Sequence, residues 1–255
     1  MPANDPGQPR RAGGEWTRGL DVPSSALAIG AHPDDIEFGA GGTLATWAMA
    51  GCTIHHLVLT DGSKGSWDPR ADIHALVSRR RSEQREAAQR LGGEHAGEVV
   101  FLAQVDGELD SSTRLRGEVA RVIRRLRPEV VFGHDPWKRY RLHPDHRHAG
   151  FLTCDGIVAA RDPHFNPEHE LEPHRPSALL LFEADEPNHV EDVGAGLEHK
   201  LDALCAHESQ FESTMHAADA TELLAFRRRV ASRLAELGRP HGIAAAEVFS
   251  LITDL

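Results

Sequence analysis

SALAIGAHPDD, residues 25–35, decides how the rest of the chain reads. Ala26–Gly30 is an unbroken apolar run with no polar alternation, as in a parallel strand covered on both faces, and it stops in a Pro-Asp-Asp turn. The same pattern recurs outward from it: TIHHLVLT (53–60), EVVFLA (98–103), EVVFG (129–133) and ALLLF (178–182) read as further strands. The intervals read as helices, the first a short one over Gly39–Met49. Residues 72–91 set Ile73, Leu76, Val77, Ala87, Ala88 and Leu91 among Arg and Glu and stop at Gly92-Gly93. Ser112–Arg127 carries Leu115, Val119, Val122, Ile123 and Leu126 at helical spacing, with arginines on its outer side, and ends at Pro128. A helix over 143–160 opens on Pro144, and helices near 194–208 and 219–237 close the chain. Strand and helix in alternation predict an α/β fold: a Rossmann-like open, mostly parallel sheet with helices on both faces, a single domain over 24–255 behind a flexible N-terminal tail, 1–23. Ligands of such sheets sit in the crevice outside the carboxyl ends of the strands.

The chain has 255 residues, 40% hydrophobic and 26% charged, which excludes collagen-like, disordered and disulfide-scaffold classes. A net charge of −11 repels phosphate backbones, so no nucleic-acid partner is expected. No apolar run approaches membrane-spanning length, and residues 1–20 lack the apolar core of a secretory signal, so no membrane insertion is expected either. Cys52, Cys154 and Cys205 are odd in number and widely spaced, which fits a reducing, cytoplasmic location. The Pro, His and Glu mixture of 161–175 reads as a loop. The compositional oddity is 17 histidines, since imidazole is the commonest metal ligand.

Two histidine clusters fall where ligands are expected. Ala31-His32-Pro33-Asp34-Asp35 puts an imidazole and two carboxylates in one turn at a strand's carboxyl end. Adjacent side chains in a turn splay apart, so one aspartate can join His32 on a metal while the other faces a bound water. Without a cation the two carboxylates repel. The second cluster, Arg141-Leu142-His143-Pro144-Asp145-His146, follows the strand at 129–133. Residues 143 and 146 share a face if helical, and the spacing alone leaves open which of the two is a ligand. Strands 25–30 and 129–133 can be neighbours, which brings both clusters to one crevice. A His, Asp, His set with an open position suits catalytic zinc. Taken singly, each tripeptide is an ordinary turn or cap; the pair at two strand ends carries the metal reading.

Other features read blandly. Gly39-Ala40-Gly41-Gly42 lacks dinucleotide spacing and follows an acidic turn, and DGSKGS (61–66) is not a Walker A loop. The arginines of 114–127 have no interleaved aromatics and read as a solvated face. His55 and His56 within a strand, and His164, His169, His174, His189 and His199, are expected at the solvated surface.

With AHPDD at 31–35 followed by Gly41-Gly42-Thr43, and HPDH at 143–146, the chain resembles the LmbE-like, or PIG-L, family of metal-dependent de-N-acetylases. Weaker elements keep order: Thr60-Asp61-Gly62, Arg80-x-x-Glu83 with Ala87-Ala88 and Leu91-Gly92, Asp106-Gly107, His207-x-Ser209-Gln210 and Ala246-Glu247. The resemblance implies that His32, Asp35 and His146 bind Zn2+, with Fe2+ as an alternative occupant, and that Asp34 is the general base for the metal-bound water. It implies that His143, oriented by Asp145, stabilises the oxyanion and protonates the departing amine. Arg80 and Asp106 match family substrate-binding positions, with one arginine of 79–85 turned inward. Ser63 stands where relatives often have an acid. Tyr140 lies three residues before His143 where some members place a tyrosine two before, and Arg141 stands at that nearer position.

The expected function is zinc-dependent deacetylation of an N-acetylglucosamine-type sugar conjugate, a small-molecule partner, with homo-oligomerisation left open. The alternatives are amidase action on another amide, such as a thiol conjugate or natural-product intermediate, and a non-catalytic metal- or sugar-binding module. Intact Asp34 and His143 argue against the last, because binding alone needs neither base nor acid.

Overall fold

The computed structural model describes residues 16–255. Strands β1 (Thr17–Arg18), β2 (Ser25–Gly30), β3 (Thr53–Thr60), β4 (Ala96–Gln104), β5 (Val130–His134), β6 (Ala178–Phe182), β7 (His189–Asp192) and β8 (Ala246–Ile252) form one sheet in the order β1-β7-β8-β6-β5-β2-β3-β4. Only β8 runs antiparallel to its neighbours, β6 and β7. The helices are α1 (Asp35–Met49), α2 (Ile73–Gly92), α3 (Thr113–Leu126), α4 (Pro144–Arg161), α5 (Leu197–Leu204) and α6 (Ala220–Gly238). The apolar run of β2 is buried on both faces. Leu27 and Ile29 pack with Val119, Ile123, Leu152 and Ile157 of α3 and α4, while Ala26 and Ala28 pack with Ile36, Leu44 and Trp47 of α1. Each large apolar side chain so buried stabilises the fold by about 1.5–3 kcal/mol. From β2 the chain steps outward through β3 to β4, then returns to β5 on the other side of β2. That reversal opens a crevice between the carboxyl ends of β2 and β5, the place where open α/β sheets bind ligands.

Several elements differ from the sequence expectation. Helix α1 begins at Asp35 rather than Gly39, because Asp34 takes a left-handed conformation (φ 100°) that ends the turn at once. The glycines of 39–42 lie inside that helix and let it pack closely: a Cβ on Gly39 would stand 2.5 Å from the Phe182 ring. The helix expected over 194–208 is only α5, followed by short turns of helix at Glu208–Gln210 and Phe211–Met215. Strands β7 and β8 were not expected. Residues 1–15 of the expected tail lie outside the described residues, but its end is part of the sheet: β1 pairs with β7, and Leu20 N–H donates to Glu191 Oε1 at 2.8 Å. His56 and His189 are buried, not solvated. Arg124 also leaves the basic outer face of α3, donating to the carbonyls of Ala159, Ala160 and Asp162 at the end of α4. Among the described residues no helix is long and apolar enough to cross a membrane, and Cys52, Cys154 and Cys205 are free thiols.

Candidate active site

Both histidine clusters converge at the crevice. One donor atom each from His32, Asp35 and His146 lies within 4.8 Å of the others. His32 follows β2, and its Nε2 bonds Asp145 Oδ2 (3.1 Å) and faces Asp106 Oδ1 (3.2 Å). With the ring proton held there, the Nδ1 lone pair turns to Asp35 Oδ2 (3.3 Å) and His146 Nε2 (3.2 Å). Asp35 opens α1, accepts the His32 backbone N–H at 2.7 Å, and lies 3.3 Å from His146 Nε2. Although burial opposes its charge, the His146 and His134 imidazoles hold the Asp35 carboxyl well below the usual range. This set of two imidazoles and a carboxylate around a shared point fits a borderline divalent cation. His146 fits with one cost. Arg141 Nη1 donates to its Nδ1 at 2.6 Å, whereas a neutral imidazole ligating through Nε2 keeps a proton on Nδ1, so Arg141 and a cation compete for this ring.

Asp34 stands beside the cluster at the wall of a cavity of about 470 Å³, which His32, Asp35, Lys64, Arg80, Asp106, His143 and His146 also line. Its turn is held from two sides. Gln84 Oε1 accepts the Asp34 N–H (3.0 Å), and Arg80 Nη2 donates to the Pro33 carbonyl (2.7 Å) while standing 3.6 Å from Asp34 Oδ2. Gln84 Nε2 in turn donates to buried Glu37 at 2.7 Å, which faces His207 Nε2 at 3.3 Å. Burial pushes the Asp34 carboxyl up to about 6, against the Arg80 guanidinium and with the help of Asp35. A carboxyl so placed is suited to take up a proton near neutral pH.

Of the arginines 79–85, Arg80 alone is buried, and it reaches the cavity wall. Its Nη1 and Nη2 are bonded to the Gly62 and Pro33 carbonyls, so it braces the AHPDD turn as well as facing the cavity. Gly62, at φ 68°, permits that approach: a Cβ there would come 2.7 Å from Arg80 Nη1. Asp106 sits between His32 and the 62–65 loop, accepting Lys64 N–H at 3.0 Å. His143 is exposed at the mouth and stacks on His146, centroids 4.7 Å apart. Asp145 does not bond His143. It is fully buried in the first turn of α4, where it accepts the Gly107 and Leu109 N–H groups and His32 Nε2, so it orients His32 instead.

Three further residues shape the site without belonging to either histidine motif. His134, the last residue of β5, bonds Asp35 Oδ2 at 3.2 Å through Nε2 and Glu183 at 3.3 Å through Nδ1. Glu183, next after β6, also holds Arg141. Both stand at strand carboxyl ends, the signal that marked His32. The third, Gln84, carries no motif; it is visible only as a polar residue on the buried stripe of α2. The weaker motifs do meet: Glu83 accepts Ser209 N–H (2.8 Å) and Oγ–H (2.5 Å), and Gln210 donates to the Gly65 carbonyl at 3.2 Å.

The chain matches the family model described as PIG-L: GlcNAc-PI de-N-acetylase over residues 27–156. It is 39% identical over 188 residues to diacetylchitobiose deacetylase of Thermococcus kodakarensis, covering 72% of this chain and 69% of that protein. A 1D-myo-inositol 2-acetamido-2-deoxy-alpha-D-glucopyranoside deacetylase of Kineococcus radiotolerans is 30% identical over 172 residues, 55% of this chain and 46% of the relative, so the chain spans about half of it. The solved structure of N,N'-diacetylchitobiose deacetylase from Pyrococcus horikoshii superposes with a TM-score of 0.81 at 29% identity, over 91% of this chain and 84% of that one. The scaffold also hosts other chemistry, since 4-oxalmesaconate hydratase of Pseudomonas putida is 28% identical over 62% of this chain and 65% of that protein. The motifs, the sheet with its crevice and these similarities agree: the chain belongs to the PIG-L, or LmbE-like, family.

Proposed function

We propose that the protein is a metal-dependent N-deacetylase that cleaves the amide of an N-acetylglucosamine-type sugar conjugate and releases acetate. The observation that carries this reading is the convergence of His32, Asp35 and His146 beside Asp34 in one cavity, with His143 at its mouth. His32, Asp35 and His146 would hold Zn2+, with Fe2+ as the alternative. The bound ion supplies Lewis acidity for the carbonyl and for water. Asp34, kept dry and braced by Arg80 and Gln84, accepts a proton from the attacking water. His143, which burial and the neighbouring His32 and His146 rings make a stronger acid than a free imidazolium, hydrogen-bonds the developing oxyanion and, in its protonated form, passes its proton to the amide nitrogen as the C–N bond breaks. Asp145 and His134 fix the orientations of His32 and Asp35, so these two residues would meet an ion without rearranging, whereas His146 would first give up its Arg141 donor. The sugar preference rests on the deacetylase relatives, and the free thiols accord with a cytoplasmic setting.

Asp34→Asn tests the base. Acetate release from N-acetylglucosamine conjugates should fall by about 10²–10⁴-fold with zinc content unchanged. Undiminished turnover refutes the assignment. Turnover of 4-oxalmesaconate without acetate release from any N-acetylated sugar would overturn the deacetylase reading in favour of hydration.

A further inference from the structure

A second cavity, of about 540 Å³, adjoins the first and shares Phe38, Glu183 and Thr214 with it. The volume falls within the ~300–1,000 Å³ typical of small-molecule sites. One wall is the inner face of α6, where Phe226, Val230, Leu234 and Leu237 recur at helical spacing and Phe226 meets Phe38 edge-on, centroids 6.1 Å apart. The rim carries Lys138, Arg229 and Arg233. Arg233 has Glu236 at 3.5 Å, but among the described residues neither Lys138 nor Arg229 has a carboxylate within ion-pair distance; Arg229 donates only to the Met215 carbonyl. The two acids of the wall are already engaged: Glu247 by Lys200 and by the N–H groups of Gly42 and Thr43, Glu183 by Arg141 and His134. In a chain of net charge −11 the result is an apolar trough under a positive rim, opening onto the candidate active site.

We propose that this trough binds the part of the substrate beyond the N-acetylated sugar, and that this part is an apolar group bearing an anionic substituent. The proposal rests on the deacetylase reading of the neighbouring cavity. The zinc-loaded protein would be assayed for acetate release from free N-acetylglucosamine and from its phenyl and 4-carboxyphenyl glycosides, both anomers. The carboxyphenyl glycoside of the accepted anomer should have a KM at least about tenfold below that of the free sugar, the worth of burying most of one ring. Val230→Trp, which fills the trough, should cancel that gain and leave kcat/KM for the free sugar within about twofold. Arg229→Ala, on the exposed rim, should raise KM for the carboxyphenyl glycoside several-fold and leave the phenyl glycoside unchanged. Equal KM values for all three substrates, or a gain that survives Val230→Trp, would overturn the proposal. Calorimetric titration with 4-carboxyphenyl glucoside, which has no amide to cleave, separates the two readings. Binding abolished by Val230→Trp supports the trough even if no acetate is released, and absence of binding to the parent protein refutes it even if the sugar is deacetylated.

Discussion

Replacing Gln84 by Leu is expected to destabilise the protein by about 3 kcal/mol, although Gln84 touches neither the candidate metal ligands nor bulk solvent. Its carboxamide is fully buried between two groups with opposite needs, donating to Glu37 at 2.7 Å and accepting from Asp34 N–H at 3.0 Å. Loss of a hydrogen bond to a buried carboxylate costs about 1.5–3 kcal/mol, and an orphaned buried N–H about 1–3 kcal/mol. Burying extra leucine carbon returns about 1 kcal/mol. For a chain of this size each kcal/mol shifts Tm by about 2–4 °C, so the midpoint should fall by about 6–12 °C. Urea unfolding followed by tryptophan fluorescence, with Trp47 buried against Phe132, reads the change. Gln89→Leu makes the same substitution on the exposed side of the same helix and should stay within about 0.5 kcal/mol of the parent. If Gln84→Leu also unfolds within about 1 kcal/mol of the parent, the bridge does not brace the Asp34 turn.

His134→Ala should weaken zinc binding about 10–100-fold in a chelator competition, because Asp35 loses its orienting partner; unchanged affinity would show that α1 alone fixes the carboxylate. Arg141→Ala should act in the opposite sense, tightening zinc by freeing His146 Nδ1 and removing a nearby positive charge, and weaker binding would refute the competition. Arg124→Met removes the donor shared by the Ala159, Ala160 and Asp162 carbonyls and should cost about 2–4 kcal/mol in urea unfolding without changing zinc affinity. Burial lowers the His56 pKa from 6.5, with Glu37 opposing and His55 and His207 adding to the shift. The unfolded chain therefore binds this proton first, and stability drops as pH falls through 6.5. His56→Leu should flatten that slope by up to about 1.4 kcal/mol per pH unit just below pH 6.5, and an unaltered slope would mean that His56 does not contribute.

The β-α alternation and the two ligand turns were legible because their signals are local: an apolar run ending in His-Pro-Asp-Asp states both the strand and what stands at its end. The carboxyl ends of β2 and β5 could be brought together from topology alone. Long-range partners were not legible. Asp145 lies two residues from His143, yet it turns inward to His32, because the Gly107 and Leu109 N–H groups and the His32 ring hold it there. Gly39 reads as a helix start because a glycine needed for close packing on Phe182 looks the same in sequence as one needed for a turn. Strand β8 was missed because its burial is set by β6 and β7, on which it lies, rather than by a period of its own.

Glu247 on β8 holds the N–H groups of Gly42 and Thr43 and the ammonium of Lys200, and so fastens the helix that begins at Asp35. In synthesis from the N-terminus, every candidate metal ligand has been made by His146, long before this clasp exists. A growing chain thus carries the ligands ahead of the part that keeps α1 in place. Mature metal affinity is expected only after Ala246–Ile252 has threaded between β6 and β7, which ties the start of activity to one of the last strands to be made.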